Sequence, residues 1–542
     1  MKLALAQIDT TVADLRGNIR RILAAYEAAR GLGADLVAFP ELAIPGYPAG
    51  DLLEDPDLIR ENLRSLKVLA RAAGETAMLV GYAEPNRGRG KPLFNAAALL
   101  HKGAVAAKRF KTLLPNYDVF DEARYFEPAA SNLPIRFNGV KLGVTLCEDA
   151  WAPAATKGRT LYRRDPVAGL VRSGAEILLN LSASPYYRGK HGVRLSLLRR
   201  QARKHGRFFA YCNLVGGNDE LVFDGGSLAF DERARLVAAG RRFEEDLVLL
   251  DTKACKPAAP RAPLGDVEEV YRALILGLRG YARKCGFKTA LVGLSGGIDS
   301  ALVCTLAADA LGAGNVTGVL LPSRYSSAGS VEDALALARN LGVETRTLPI
   351  EPLHAASRAL LGELAQDGSL TDQNLQARLR GLALMALANA QGHLLLSTGN
   401  KSECAVGYCT LYGDMAGGLA LISDVPKTLV YALARFINRD GRRIPRSSIE
   451  KPPSAELKPG QTDQDDLPPY EVLDGILESY IERGRGAKTL VRGRAAKARV
   501  LETLERIDRA EYKRRQAAPG IKITEKAFGV GRRMPIARGR YR

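Results

Sequence analysis

The chain of 542 residues is 46% apolar and 25% charged and carries a formal net charge of +19. That length exceeds what one hydrophobic core organises, so two or three domains are expected. No apolar run reaches the roughly 18 residues of a membrane span, and seven Cys without paired spacing beside five His argue against a disulfide framework or a His/Cys zinc site and for a reducing cytoplasm.

In chain order, Met1–Gln7 is too short and too soon polar for a signal peptide and reads as a first strand, Leu3–Gln7. Strands are expected next at Leu36–Phe39, Ala77–Tyr82, Val140–Leu146, Ile177–Leu181, Phe208–Leu214 and Leu247–Leu250, with helical patterns at Asn18–Arg30 and Asp57–Ala73. This is an α/β layer fold rich in sheet. The run Ala254–Pro263 holds three Pro in ten residues, which removes backbone donors and favours extended chain; residues 254–266 are read as a linker between domains at 1–253 and 267–542. Beyond it, strands at Ala290–Leu294, Val316–Leu321, Glu344–Leu348 and Leu394–Ser397 alternate with helices at the spacing of a doubly wound parallel sheet. A Pro-rich, charged stretch from Arg442 to Pro469 reads as a mobile loop, and from Tyr470 the apolar positions Val472, Leu473, Ile476, Leu477, Tyr480 and Ile481 share one helical face.

Residues 293–300, Gly-Leu-Ser-Gly-Gly-Ile-Asp-Ser, carry the strongest signal. An apolar strand, a glycine turn and a helix start follow in succession. The first N–H groups of a helix have no partner of their own and suit phosphate oxygens. Gly293, Leu294, Ser295, Gly296, Gly297, Ile298, Asp299 and Ser300 are therefore candidate phosphate contacts, with Ser295 and Ser300 as hydroxyl donors and Asp299 as a Mg²⁺ ligand. The Lys of the common phosphate-binding loop is missing, so a different loop is at work. The segment resembles the signature of ATP pyrophosphatases, which cleave ATP between the α- and β-phosphates.

Three segments of the first half hold a second chemistry: Phe39-Pro40-Glu41-Leu42, Lys111-Thr112-Leu113-Leu114-Pro115-Asn116-Tyr117 and Leu146-Cys147-Glu148-Asp149-Ala150-Trp151. A thiolate that attacks a carbonyl, a carboxylate that moves the proton and an ammonium that steadies the oxyanion are what amide cleavage needs. Taken singly, each residue also fits a buried Cys, a turn carboxylate or a surface Lys.

Together the segments resemble the catalytic triad of nitrilase-superfamily amidases, which assigns Glu41 as base, Lys111 as oxyanion stabiliser and Cys147 as nucleophile. An amidase of this kind ahead of an ATP-pyrophosphatase loop resembles the glutamine-dependent NAD synthetases over nearly the whole chain. The resemblance implies an α/β protein, an N-terminal nitrilase-like α-β-β-α sandwich followed by an adenine nucleotide alpha hydrolase-like domain. It implies glutamine contacts at Tyr117, Ser184 and Lys190, the last a Lys where some relatives carry Arg. It implies an ATP contact at Thr398, deamido-NAD contacts at Asn374, Glu403 and Lys513, and Mg²⁺ on Asp299 and Glu403. Leu411 stands where ammonia-dependent synthetases tend to carry Lys, so their contacts there do not transfer.

The expected reaction adenylylates the carboxylate of deamido-NAD with ATP and displaces AMP with ammonia from glutamine, which would travel through an enclosed passage. The expected partners are ATP, deamido-NAD⁺ and L-glutamine or ammonia, with no nucleic acid and no membrane, in a cytoplasmic homo-oligomer. The rival reading is an amidoligase using the same loop on a different carboxylate. The last 60 residues carry 19 Lys/Arg against five Asp/Glu, with few aromatics (Tyr512, Phe528, Tyr541). A solvated surface, a phosphate clamp and a nucleic-acid site are all open to such a tail.

Overall fold

The computed structural model describes residues 1–152, 155–156, 159–258, 264–490 and 494–539. The centre of the expected linker, 259–263, and Tyr541 lie outside the described residues. The chain forms two compact units, Met1–Asn218 with Val222–Pro263, and Leu264–Arg542 with Asp219–Leu221.

Among the described residues the first unit has two six-stranded sheets. One runs in the order Asp246–Asp251, Lys2–Gln7, Leu36–Ala38, Ala77–Pro85, Leu93–His101, Ala104–Phe110. The other runs Leu236–Ala239, Leu228–Phe230, Phe208–Asn213, Ile177–Ser182, Val140–Leu146, Ile135–Phe137. Side chains of a strand alternate between faces, and here both faces are apolar. Leu3, Leu5, Leu36 and Leu79 of the first sheet pack with Leu142, Val144, Leu179 and Leu181 of the second. On the outer face of the first sheet, Ala4, Val37, Met78 and Val80 meet Ile22, Tyr26, Leu66 and Leu69 of the helices Leu15–Gly31 and Pro56–Ala72. Beneath the second sheet, Leu178 and Phe209 meet Leu170 and Leu198 of the helices Pro166–Arg172 and Lys190–His205. The result is an α-β-β-α sandwich.

The second unit is built on a parallel five-stranded sheet ordered Glu344–Thr347, Val316–Leu320, Ala290–Gly293, Leu394–Ser397, Leu419–Ala420, among the described residues. The strand order reverses beside Ala290–Gly293, and open α/β sheets bind ligands at such a switch point. The fifth strand is only two residues long, which is why the periodicity did not reveal it. The stretch from Arg442 to Pro469 differs from the expected mobile loop: it contains the helix Arg446–Glu450, and Ser448, Gln461 and Asp463 are buried. The helix Tyr470–Leu477 buries Leu473, Ile476 and Leu477, and Ile481 follows them inward, but Val472 is 42% exposed because it falls on the opposite side.

Neither does the tail form a uniformly solvated basic surface. Arg514 and Arg532 converge on the buried Glu511 at 2.8 and 3.1 Å. Lys522 is buried and donates to the carbonyls of Thr524 and Glu525.

Two candidate active sites

Each residue of the first cluster sits where a strand ends. Glu41 lies just past Leu36–Ala38, Lys111 directly follows Ala104–Phe110, and Cys147 opens the short 3₁₀ turn Cys147–Trp151 after Val140–Leu146. The Glu41 segment rests against Gly81, where a Cβ would come within 2.3 Å of Leu42 N and 2.6 Å of Pro40 O. Cys147 has φ of +36°, a left-handed conformation that costs a non-glycine residue of order 1–3 kcal/mol. The surrounding braces hold it there. Asp149 accepts from Leu146 N at 3.1 Å, and from Thr112 N and Leu113 N at 3.0 and 2.8 Å. One buried carboxylate thus ties the Cys147 turn to the Lys111 segment. Burial pushes that carboxyl up to about 7, against the pull of the three N–H donors.

Lys111 is fully buried and lies 2.7 Å from Glu41 Oε1 and 2.7 Å from Glu122 Oε2. Asn95 Nδ2 donates to Glu41 Oε1 at 2.8 Å, and Ala183 N to Glu41 Oε2 at 3.0 Å. Tyr47 donates to Glu122 at 3.0 Å. Burial alone would lower the Lys111 ammonium, but Glu122 and Glu41 override it and hold the group well above its ordinary value. Burial raises Glu122 to about 7, tempered by Lys111. The Cys147 thiol is pushed up by burial and by Glu41, while Lys111 pulls it down. A thiol held neutral next to a carboxylate gives up its proton when a carbonyl arrives, and the ammonium is in place for the oxyanion.

The expected glutamine contacts gather around this cluster. Tyr117 donates to Glu148 at 3.0 and 3.1 Å, and Tyr162 donates to Glu148 at 2.8 Å. Lys190 is buried, donates to the Pro185 carbonyl at 2.6 Å and stands over the rings of Tyr187 and Trp151. Ser184 is buried and its N–H donates to Asn213 at 3.0 Å. Sequence reasoning missed Glu122, Glu148 and Asp149. The last two lie inside a segment already singled out, whereas Glu122 stands among Asp118, Asp121 and Glu127 with no spacing to mark it.

In the second unit a cavity of about 310 Å³ opens over the strand Ala290–Gly293. Gly293, Leu294, Ser295, Gly297, Ile298, Asp299, Thr398 and Glu403 line it. Gly296 has φ of +75°, and a Cβ there would sit 2.2 Å from Ser330 O, so only glycine fits this turn. Gly297 precedes the helix Ile298–Leu311, whose first N–H groups are the phosphate-binding feature expected from the sequence. Ser300 is buried, does not line the cavity, and holds Ser295 through a 3.1 Å hydroxyl contact.

Asp299 is bound by Lys427 Nζ at 2.5 Å and by Asn400 Nδ2 at 3.0 Å. Lys427 also lies 3.3 Å from Glu403. Asn400 and Glu403 cap the helix Lys401–Val406 reciprocally, which aims Glu403 at the cavity. Burial raises Glu403 to about 8, with Lys427 opposing and Asp299 adding to the rise. Two carboxylates already share one positive charge, which fits Mg²⁺, an ion held by one or two carboxylates with substrate phosphates completing the shell. Arg380, Lys451 and Asp463 also line the cavity and were missed. Asn374 and Lys513 do not line it. Asn374 accepts from the Thr410 hydroxyl at 2.7 Å, and Lys513 donates to the carbonyls of Gly407 and Cys409 at 2.8 and 2.7 Å, so both brace the segment that leads to Asp414 on the cavity wall.

Fold and sites define a class: an α-β-β-α sandwich with a buried Cys-Glu-Lys cluster, joined in one chain to a parallel α/β unit whose glycine-rich loop faces a cavity. Residues 2–254 match the carbon-nitrogen hydrolase family and residues 270–517 the NAD synthase family. The chain is 48% identical to the glutamine-dependent NAD(+) synthetase of Synechocystis sp. over 99% of this chain and 98% of that one. It is 43% identical to the one of Thermotoga maritima over 99% and 98%. The structure of glutamine-dependent NAD+ synthetase from Acinetobacter baumannii, in complex with adenosine diphosphate, matches at a TM-score of 0.78 and 37% identity over 99% and 98%. That of Cytophaga hutchinsonii shares the fold at a TM-score of 0.83 and 22% identity over 99% and 97%. The chain belongs to the glutamine-dependent NAD(+) synthetase family.

Proposed function

We propose that the chain makes NAD⁺ from deamido-NAD⁺, ATP and L-glutamine, releasing AMP, diphosphate and L-glutamate. The observation that carries the assignment is the pairing, in one chain of this family, of a buried Glu41–Lys111–Cys147 cluster with a Gly-rich loop facing a cavity. In the first site Cys147 attacks the side-chain amide of glutamine, and Glu41 takes the thiol proton and returns it to the leaving ammonia. Lys111 stabilises the tetrahedral oxyanion, and water then clears the thioester. Glu148, held by Tyr117 and Tyr162, meets the α-ammonium of the substrate; Lys190 and Ser184 meet its carboxylate.

In the second site the loop 293–300 and Thr398 hold ATP, while Asn374, Glu403 and Lys513 serve the dinucleotide. Asp299 and Glu403 would hold Mg²⁺, which when bound with ATP neutralises phosphate charge. The carboxylate of deamido-NAD⁺ attacks the α-phosphorus and diphosphate leaves; ammonia then adds to the activated carbonyl and expels AMP. Among the described residues no helix is long and apolar enough to cross a membrane. The reading is of a cytoplasmic homo-oligomer. The test is NAD⁺ formation from deamido-NAD⁺ and ATP with glutamine or ammonium salt as nitrogen source. Replacing deamido-NAD⁺ by other carboxylates tests the acceptor, and turnover with another carboxylate alone would reject this reading.

A further inference from the structure

The segment Ser182–Pro185 forms a wall of the Cys147 site, and its backbone is pinned at every residue past the strand. Ala183 N donates to Glu41 Oε2 at 3.0 Å and Ser184 N to Asn213 Oδ1 at 3.0 Å. The Ser184 carbonyl accepts from Arg194 Nη2 at 3.1 Å, and the Pro185 carbonyl from Lys190 Nζ at 2.6 Å. Of these partners Arg194 carries the largest side chain. It is fully buried on the helix Lys190–His205 and forks onto the equally buried Asp224, with Nη1–Oδ2 at 3.0 Å and Nη2–Oδ1 at 2.7 Å. Asp224 ends the strand Leu221–Asp224 and also accepts from Arg242 at 3.2 Å.

A buried ion pair is a poor source of net stability, because desolvation cancels most of the attraction and apolar side chains of similar volume do as well or better. The geometry supplies the reason for this one. The planar guanidinium engages both carboxylate oxygens and still directs an N–H at the Ser184 carbonyl. An ammonium is a point charge that cannot do both. Burial would raise the Asp224 carboxyl, yet Arg194 overrides it and holds it at about 2, so the fork persists across the working pH range.

We propose that Arg194, oriented by Asp224, is a positioning residue for the glutamine site. By fixing the Ser184 carbonyl it sets the direction of the Ser184 side chain. The proposal rests on the reading of the first site as a glutaminase and deepens it. It gives the buried pair a specificity role: Ser184 recognises the amino-acid end of the substrate, so losing its alignment weakens glutamine binding more than it slows the chemistry.

The test is Arg194→Lys in the full-length chain, which keeps a positive charge beside Asp224 and removes the fork. Glutamine KM rises about ten- to a hundredfold, the range of a lost charge-assisted hydrogen bond, and kcat falls by about threefold or less. NAD⁺ synthesis driven by ammonium salt stays within about twofold of the parent, and iodoacetamide labels Cys147 to the same final extent. Asp224→Asn, which unfixes the fork from the other side, gives the same KM shift. A glutamine KM within about twofold of the parent in fully labelled Arg194→Lys protein overturns the proposal. So does a fall in kcat at constant KM, or failure of both variants to fold, since either makes the pair purely structural. A parent chain that hydrolyses no glutamine at all rejects the glutaminase reading instead, a result distinct from all of these.

Discussion

Lys111 and Lys427 are both buried ammonium groups set between two carboxylates, and the two differ in what surrounds the carboxylates. Around Lys111, Glu41 is also held by Asn95 and by Ala183 N, and Glu122 by Tyr47, all with little or no exposure. Around Lys427, the side chains of Asp299 and Glu403 are 18% and 16% exposed and line a cavity. The first arrangement is complete by itself: its charges are in place before any substrate arrives, which is what stabilising an oxyanion requires. The second is open. Its carboxylates can exchange part of the Lys427 contact for a cation that enters with phosphates, as a site for a charged co-substrate requires.

The sharpest break between the two regions is expected from Cys147→Ala. On the proposed mechanism glutamine hydrolysis falls by about 10⁴-fold or more, because a nucleophile acts as a unit with its base. Synthesis from ammonium salt changes by less than about threefold, since the second site is untouched. A folded variant that loses both activities would assign Cys147 a structural role. Next in size is Asp299→Asn, which replaces a charged ligand with a neutral amide. Synthesis from either nitrogen donor should fall by about 10²–10³-fold, the scale of a lost electrostatic contact in an active site. Glutamine hydrolysis falls far less. Normal synthesis with unchanged Mg²⁺ dependence would remove Asp299 from the metal site.

These two residues were legible because each lies in a short segment whose chemistry is local: a strand end, a glycine turn, a helix start. Glu122 and Lys427 were not, for a physical reason. Glu122 acts through Lys111 and Lys427 through Asp299, which lies 128 positions away in the chain, so only the folded sheets make the pairings. The strands Leu93–His101 and Ala104–Phe110 escaped notice because Ala-rich runs with little alternation carry no strong period. The stretch from Arg442 to Pro469 misled in the opposite way. Its Pro content suggested looseness, but Glu456 accepts from the Ser327 and Ser330 hydroxyls at 2.9 and 2.7 Å and the Leu457 carbonyl accepts from Gln376 Nε2 at 3.0 Å, which fastens it over the cavity.

A pH effect separates the regions by stability. Burial, with Arg242 and Arg194 nearby, holds His191 in the first unit down at about 4. The unfolded chain binds the proton near 6.5, so the folded state gains nothing from it until pH approaches 4. This contribution is fully present above about pH 6.5 and is lost as pH falls toward 4; it amounts to about 3 kcal/mol. Glu122, Asp149 and Glu403, raised by burial, shift stability the opposite way in parent and variant alike, so the readout is the difference between them. In urea unfolding at pH 7.5 and 4.5, His191→Asn should gain on the parent by about that amount at the lower pH. An equal pH slope in the variant would place the acid sensitivity elsewhere. Glu122→Gln is a further probe of the closed cluster. Lys111 keeps Glu41 but loses one charged partner, so glutaminase kcat/KM should fall about ten- to a hundredfold, with ammonium-driven synthesis unchanged.

The smallest expected effect tests whether the open region extends to the basic tail. The Lys513 ammonium has three donors, and the Gly407 and Cys409 carbonyls take two at 2.8 and 2.7 Å. If the third reaches a phosphate of the dinucleotide, Lys513→Met raises the deamido-NAD⁺ KM by about tenfold, the low end for a charge-assisted contact. The rise should shrink at higher salt, because screening already weakens a contact between charges near solvent. Should Lys513 only brace the segment from Gly407 to Asp414, the loss falls on kcat and on the ATP KM as well, since Asp414 lines the shared cavity, and salt leaves the ratio unchanged. Glutamine KM stays constant in both cases. The salt dependence of the deamido-NAD⁺ KM, measured on parent and variant side by side, is therefore the quantity that distinguishes a phosphate contact from a strut.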